Sequence, residues 1–261
     1  QNLLADARKA RLADDYGAAI SLCSAYLAAN PGDPEGESLL GLCELETNKP
    51  SGAARIETAA ERSPKSHTIQ FNLSILKEKQ GDIRAAVQSA SAAAKLSPGA
   101  FECWAQLGKL LGMAEKYEEA LAALEQAEKI RPDHPGILPL LAGAALQCGA
   151  LEKCEATLDR IDHSAPELNT IRMRTHLARA RGDWSGLETY AREWLSAQPK
   201  SDEARIALAH ALSQQGYFDD AAEIYAPLAG GVRPSAAHAA AMGRYRLGGR
   251  RLEDAKRWFD K

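Results

Sequence analysis

The sequence repeats with a period of 33 to 35 residues over its whole length. The clearest marker is a proline that closes each unit, because proline cannot continue a helix. These prolines are Pro31, Pro64, Pro98, Pro132, Pro166, Pro199 and Pro234. Such a period is typical of a solenoid of stacked supersecondary units. The length of 261 residues therefore counts about 7.7 repeats rather than one or two ordinary domains.

Two further series of residues, independent of proline, share one register, with separations of 34, 33, 34, 34, 33, 34 and 34 residues. The first is Ala7, Gly41, Ser74, Gly108, Ala142, Thr175, Ala209 and Gly243, and the second is Ala19, Ala53, Ala86, Ala120, Cys154, Leu187, Ala221 and Ala255. Two helices in close contact need a small residue where they cross. We expect Gly108 and Ala120 to lie at such a crossing, and looser or shifted packing at Leu187.

Each unit has the pattern of two helices. In residues 101–132, apolar side chains follow helical spacing in two runs separated by a break. In other units this break holds Gly81, Gly149, Gly182 or Gly216, as suits a helix C-terminus. The chain is also rich in alanine and only 6% aromatic, which favours helices over strands.

The repeat resembles the tetratricopeptide repeat (TPR). The residues that carry the resemblance are clearest in one unit: Trp104, Leu107, Gly108, Tyr117, Ala120, Leu124, Ala127 and Pro132. Asp6, Pro50, Arg174 and Leu187 depart from the pattern in the first, second and sixth units. The resemblance covers essentially the whole chain and implies an all-α, right-handed superhelical solenoid of antiparallel helix pairs, with the first helix of each pair on the concave face.

The predicted domain organisation is a single TPR array over residues 1–261. Its repeats are approximately 1–33, 34–66, 67–100, 101–134, 135–167, 168–201 and 202–235, with a partial repeat at 236–261. Arrays of this kind end in a polar capping helix. Trp258 and Phe259 instead indicate a surface that awaits another helix, so we expect more protein to follow, such as an attached C-terminal domain.

No catalytic, cofactor or metal motif accompanies the repeat. The sequence lacks a phosphate-binding Gly-x-x-x-x-Gly-Lys-Ser/Thr loop, a Gly-x-Ser-x-Gly elbow and a His-Glu-x-x-His pair. We therefore expect no enzyme activity, no cofactor and no metal in this segment. The net charge of −3 argues against nucleic acid as a partner, and the longest apolar run, residues 137–146, is too short for a membrane span.

The cysteine pattern indicates a reducing compartment. The five cysteines are odd in number and form no Cys-x-x-Cys pair, and free cysteine is commonly a small buried apolar residue. We therefore predict a cytoplasmic protein, and the sequence leaves open a targeting segment before residue 1.

The charge distribution selects a candidate ligand groove. Residues 1–167 carry a net charge of −7 and residues 168–261 a net charge of +4. In the repeat register, the groove-facing positions of the later units include Arg172, His176, Arg179, His210 and Arg244. Arginine is suited to carboxylate or phosphate. The alternative is that these are solvated helix-face charges. We hypothesise an acidic or extended peptide ligand.

Other features of the groove are less distinctive. Leu42, Leu45, Phe71 and Ile75 suggest an apolar peptide site near the N-terminus, although some of them must serve packing. We expect Trp194 to be partly exposed because its slot is usually held by alanine. Neither the carboxylate clamp of chaperone-binding TPR proteins nor the asparagine ladder of sugar-transferring ones is reproduced.

Two functions remain compatible with the sequence. The first is a protein–protein interaction scaffold or adaptor with a protein or peptide partner. The second is the N-terminal regulatory or substrate-recruiting TPR region of a larger bacterial enzyme, such as a sulfotransferase or glycosyltransferase.

Overall fold

The protein is all α-helical over the residues that the computed structural model describes, 2–161, 167–229 and 235–260. Two of the repeat-closing prolines, Pro166 and Pro234, lie outside these ranges. The described residues form sixteen α-helices and no strand. They belong to two compact units, Gln1–Ala144 and Ala145–Lys261.

Unit 1 contains four complete helix pairs. Their bounds are α1 (Leu3–Leu12), α2 (Tyr16–Ala29), α3 (Pro34–Glu46), α4 (Ser51–Arg62), α5 (His67–Lys79), α6 (Ile83–Leu96), α7 (Phe101–Met113) and α8 (Tyr117–Ile130). Each odd-numbered helix packs on the even-numbered helix that follows it, and the odd-numbered helices also contact one another in sequence. Helix α9 (Leu138–Gln147) begins in unit 1 and ends in unit 2.

Unit 2 continues the same alternation. Its helices are α10 (Leu151–Leu158), α11 (Leu168–Arg181), α12 (Trp184–Ala197), α13 (Asp202–Gln214), α14 (Phe218–Ala229), α15 (Ala236–Gly248) and α16 (Leu252–Phe259). The pairs α11–α12, α13–α14 and α15–α16 are packed together, and α12 and α14 also contact the helices that follow them. Odd-numbered helices are called first helices below.

The small residues of the first series are buried at every position, from Ala7 to Gly243. A Cβ atom on Gly108 would lie 2.5 Å from Cγ of Leu124 and 3.3 Å from the carbonyl oxygen of Ala120. The expected crossing at Gly108 and Ala120 is thus present. In the second repeat the crossing residue on α4 is Gly52 rather than Ala53, which is only half-buried. Leu187 is fully buried in the core of unit 2.

Every turn within a helix pair passes through one residue in the left-handed backbone region, with φ between 56° and 87°. These residues are Asp14, Asn48, Gly81, Glu115, Gly149, Gly182, Gly216 and Arg250. They follow the register of the small residues, with separations of 33 or 34 residues. The repeat therefore imposes this conformation even where the sequence does not supply glycine.

Candidate functional site

Helix α11 presents arginines to two different surroundings. They occupy positions 172, 174, 179 and 181. Nη2 of Arg174 lies 3.0 Å from Oδ1 of Asp159, and Nη1 of Arg181 lies 2.6 Å from Oε1 of Glu155. Both carboxylates belong to α10 or to the residue that ends it. The charges of these two arginines are thus matched within the fold, and they are not the ones predicted to face the groove.

Arg172 is held against an aromatic ring. Its guanidinium carbon lies 5.3 Å from the ring centroid of Trp194, a cation–π contact. Its Nη2 is 3.5 Å from Oε2 of Glu203, whose side chain is 67% exposed, so this ion pair is long and solvent-screened. Its Nε is buried and has no hydrogen-bond acceptor. The side chain is therefore positioned by packing while a donor remains unused.

His176 lies one turn further along α11, on the same face. Its ring centroid is 6.3 Å from that of Trp194, in an edge-on arrangement. Partial burial lowers the pKa of His176, and the positive charges of Arg179 and Arg172 lower it further, while Glu203 acts in the opposite direction. These effects favour the neutral form of the imidazole. A neutral histidine can accept or donate a hydrogen bond to a ligand.

His210 on α13 is brought into the same electrostatic environment. Its ring meets the ring of Trp184 edge-on, with centroids 5.2 Å apart. Burial lowers the pKa of His210, and the charge of Arg179 adds to the effect. Arg179 therefore acts on both His176 and His210.

Arg179 is the central cation of this group. Its Nε is buried without a hydrogen-bond acceptor. Among the described residues it forms no ion pair, in contrast to Arg174 and Arg181 on the same helix. A guanidinium donor that is removed from water and left unpaired is destabilising by about 1–3 kcal/mol. An anion bound at this place would remove that penalty.

Arg244 lies on α15 in an aromatic environment. Burial raises the pKa of Tyr225 and of Tyr245, and the charge of Arg244 opposes both shifts. The two tyrosine rings are 5.5 Å apart, and Tyr225 also meets the ring of His238. Arg244 itself is exposed, and it makes no ion pair with any side chain in the described ranges.

Trp194 corrects a sequence-based expectation. Partial exposure was predicted, but the side chain is 1% exposed and packs with Ile171 and Ala204. Its indole nitrogen donates to Oε1 of Gln198 at 3.2 Å. The small side chain of Ala204 on the next helix leaves room for the indole. The alanine at position 204 was the sequence signal for burial of Trp194, and it cannot be found from the sequence of α12 alone.

The apolar site suggested near the N-terminus is only partly present. Leu42 is fully buried and packs with Ile56 and Leu76, so it is a core residue. Phe71, in contrast, lines a cavity of 240 Å³ in unit 1 together with Arg8 and Arg11. Sequence reasoning missed these arginines because it directed attention to the basic C-terminal part of the chain. Their i, i+3 spacing on α1 was the available signal.

The sequence also matches family models. Residues 113–180 match a model described as tetratricopeptide repeat, and residues 71–135 match a second model with the same description. The chain is a TPR protein. The fold of this TPR protein supports a protein-interaction scaffold in general. A search of curated protein sequences gives no significant match.

Solved structures agree with the fold. A TPR protein from Parabacteroides merdae is 16% identical, with a TM-score of 0.53, and the match covers 99% of this chain and 90% of that one. PilF of Pseudomonas aeruginosa is 14% identical, with a TM-score of 0.63, over 78% of this chain and 93% of that one. A chain of the APC/C hetero-tetramer Cut9–Hcn1 is 12% identical, with a TM-score of 0.54, and the match covers 99% of this chain and 53% of that one. At these identities the likeness concerns the fold.

The described part of the TPR protein contains neither a helix able to span a membrane nor a cluster of metal-ligating side chains. None of the helices there combines the length and the apolar character needed to cross a membrane. The same residues contain no group of three or more His, Cys, Asp and Glu side chains placed to hold a metal ion.

Proposed function

We propose that this TPR protein is an interaction scaffold that binds an acidic, extended peptide segment along the first helices of unit 2. The proposed contact residues are Arg172, His176, Arg179, His210 and Arg244. The observation that carries the proposal is the contrast within α11. Two arginines have carboxylate partners from α10, whereas the buried Nε atoms of Arg172 and Arg179 have no acceptor.

The chemistry of the face favours a carboxylate-bearing ligand. Arginine offers planar, fork-shaped donors that match a carboxylate with two parallel hydrogen bonds. Arg172 and Arg179 are seven residues apart, which is two helical turns or about 10 Å. An extended peptide places side chains of one face about 7 Å apart. Acidic residues two to four positions apart could therefore engage both guanidinium groups.

The two histidines add a second, adjustable component. Burial and the positive charge of Arg179 lower the pKa of His176 and of His210, which favours their neutral forms in the free protein. A bound carboxylate would favour the protonated imidazoles, so that the histidines would add positive charge to the site.

We also propose that residues 1–261 act as one array and that the protein works in a reducing compartment such as the cytoplasm. Five free thiols support the second point.

The test uses a fluorescein-labelled peptide with glutamates at alternate positions and the same peptide with glutamine in their place. Fluorescence anisotropy with the full chain should show binding of the glutamate peptide and at least tenfold weaker binding of the glutamine peptide. Raising the salt concentration from 50 to 500 mM should weaken the binding, because exposed charges are screened within a Debye length. The double variant Arg172→Gln/Arg179→Gln should reduce affinity at least tenfold.

A matched control is available on the same helix. Arg174→Gln/Arg181→Gln removes the same charge from α11 but from its partnered side. This control should change affinity less than threefold, and circular dichroism should confirm that both double variants are folded at the assay temperature. Equal affinity of the wild type and of Arg172→Gln/Arg179→Gln at low salt would rule out the proposed site.

A further inference from the structure

The cavity in unit 1 is formed entirely by first helices and the residue before one of them. It has a volume of 240 Å³. Helix α1 contributes Arg8 and Arg11, α3 contributes Leu39, and α5 contributes Phe71. Ala100, which precedes α7, closes another side. A cavity of about 150 Å³ is large enough for benzene. This cavity can therefore accept a compact organic group with a polar substituent.

One wall of the cavity carries positive charge with unused donors. Arg8 and Arg11 are three residues apart on α1 and lie on the same side of the helix. Nη2 of Arg8 donates to Oε2 of Glu35 at 3.0 Å, whereas Arg11 forms no ion pair with any described residue. The Nε atoms of both side chains are buried and lack an acceptor. The same deficiency in unit 2 marks Arg172 and Arg179.

The only carboxylate of the cavity lining is already engaged. Oε1 of Glu102 lies 2.9 Å from Nη2 of Arg131, which also stacks on the ring of Phe101. Glu102 thus offers no free charge to neutralise Arg11. The lining as a whole retains a positive charge that the described side chains do not balance.

Besides Glu102, the rest of the lining combines apolar side chains with the polar residues His67, Thr68 and Asn72. Leu39 and Cys103 are buried, Phe71 packs against the core from the cavity side, and Leu12 stands exposed at the rim. The amide nitrogen of Asn72 donates to the hydroxyl of Ser38 at 3.0 Å, so this buried side chain is anchored rather than mobile. A ligand in the cavity would therefore meet both cationic donors and hydrocarbon surface.

We infer that this cavity binds a carboxylate carried on a compact apolar body, with Arg11 as the principal cation. The carboxylate would accept from the guanidinium groups of Arg11 and Arg8, and an aromatic or branched aliphatic body would pack against Phe71 and Leu39. Such chemistry is presented by a small free acid and by the last residue of a peptide chain. This site is separate from the peptide face proposed for unit 2 and does not depend on it.

The experiment measures binding to the full chain by isothermal titration calorimetry with phenylacetate, phenylacetamide and N-acetylphenylalanine. We expect phenylacetate to bind at least tenfold more tightly than phenylacetamide, which has the same size and no charge. Binding of N-acetylphenylalanine with similar or greater affinity would identify the end of a peptide as the source of the ligand, and its exclusion would identify a free acid. Equal binding of phenylacetate and phenylacetamide, or no binding of either acid, would overturn the inference.

Variants separate the cavity from non-specific charge. Arg11→Gln should weaken the binding of phenylacetate, or of N-acetylphenylalanine if that acid binds, at least tenfold. Arg84 is an exposed arginine on α6, and Arg84→Gln should leave this binding unchanged. Ala100→Leu fills the cavity without altering charge and should abolish binding even if Arg11→Gln perturbs folding. Arg172→Gln/Arg179→Gln should have no effect on this binding. Equal losses in Arg11→Gln and Arg84→Gln would show general electrostatic attraction and would refute the assignment.

Discussion

Gly41 and Gly52 meet backbone to backbone where α3 crosses α4. A Cβ atom on Gly41 would lie 2.7 Å from the carbonyl oxygen of Gly52, and a Cβ atom on Gly52 would lie 2.5 Å from the carbonyl oxygen of Gly41. Both distances are shorter than a carbon–oxygen contact permits. Because the obstacle is backbone on each side, a side-chain rotation cannot relieve it.

Gly41→Ala should therefore destabilise the protein although alanine is the better helix former. Overpacking of a tight contact destabilises a protein by about 1–3 kcal/mol. The higher helix propensity of alanine relative to glycine offsets at most about 1 kcal/mol of this loss. We expect a net loss of about 1–2 kcal/mol, measured by urea denaturation. The matched control is Gly143→Ala in α9, where an added Cβ meets no atom within 4 Å. It should be neutral or stabilising, and a stabilising Gly41→Ala would contradict the close crossing.

Glu115 occupies the left-handed position that glycine holds in half of the turns within pairs, with φ of 58°. This conformation costs about 1–2 kcal/mol for most residues with a Cβ atom. Glu115→Gly should therefore raise the free energy of unfolding by about 0.5–1 kcal/mol, after the greater backbone entropy of glycine in the unfolded chain is taken into account.

The reciprocal variant tests the same conformation. Gly81 has φ of 80° and open space around its Cα. Gly81→Ala should lower the free energy of unfolding by about 1 kcal/mol, because only the backbone conformation opposes the new methyl group. Thermal denaturation followed by circular dichroism measures both variants. The changes in the free energy of unfolding should have opposite signs in the two variants. A destabilising Glu115→Gly would argue against strain at this turn.

Trp194 connects the core of unit 2 with the proposed peptide face. Trp194→Leu should lower the free energy of unfolding by about 2–4 kcal/mol, since removing a buried tryptophan leaves a cavity. It should also weaken binding of the glutamate peptide, because Arg172 loses the ring that positions it. Tyr217→Leu, at an aromatic residue that is 54% exposed, is the control and should change neither quantity appreciably. Full retention of affinity in folded Trp194→Leu would show that Arg172 does not need the ring.

The histidines predict how stability and affinity change with pH. Burial, with the charge of Arg179, holds the pKa of His176 and of His210 below the ordinary value of 6.5. The unfolded chain therefore binds more protons than the folded protein around and below pH 6.5, so stability of the free protein should fall as the pH is lowered through this range. Bound carboxylates reverse the electrostatic balance. Affinity for the glutamate peptide should consequently rise from pH 7.5 to pH 5.5.

Calorimetry in two buffers with different ionisation enthalpies should show proton uptake on peptide binding. In the variant His176→Gln/His210→Gln, both the proton uptake and the pH dependence of affinity should largely disappear. His67→Gln, which alters a histidine of unit 1, should retain them. A pH-independent affinity in the wild type would mean that neither imidazole responds to the bound peptide.

Much of the fold could be predicted because it is encoded by local and periodic signals. Small residues at fixed separations identified the helix crossings, and glycines at 81, 149, 182 and 216 marked turns within pairs. The exceptions were positions where the residue at a crossing or in a turn differs from the one that the repeat register predicts. Gly52 replaces Ala53 at one crossing, and Glu115 adopts the backbone conformation of a glycine. A repeat register predicts the average unit, whereas packing within one unit decides which residue fills each role.

The candidate site was only partly predictable, for a related reason. Periodicity places Arg172, His176 and Arg179 on one face of α11, and no tertiary information is needed for that. The ion pairs of Arg174 and Arg181, the burial of Trp194 and the unpaired Nε of Arg11 depend on side chains from other helices. The sequence by itself determined the repeat, its helices and the faces on which charges lie. Only the tertiary structure decided which charges are neutralised and which remain available, because an ion pair, a cavity and desolvation are properties of residues brought together from distant positions in the chain.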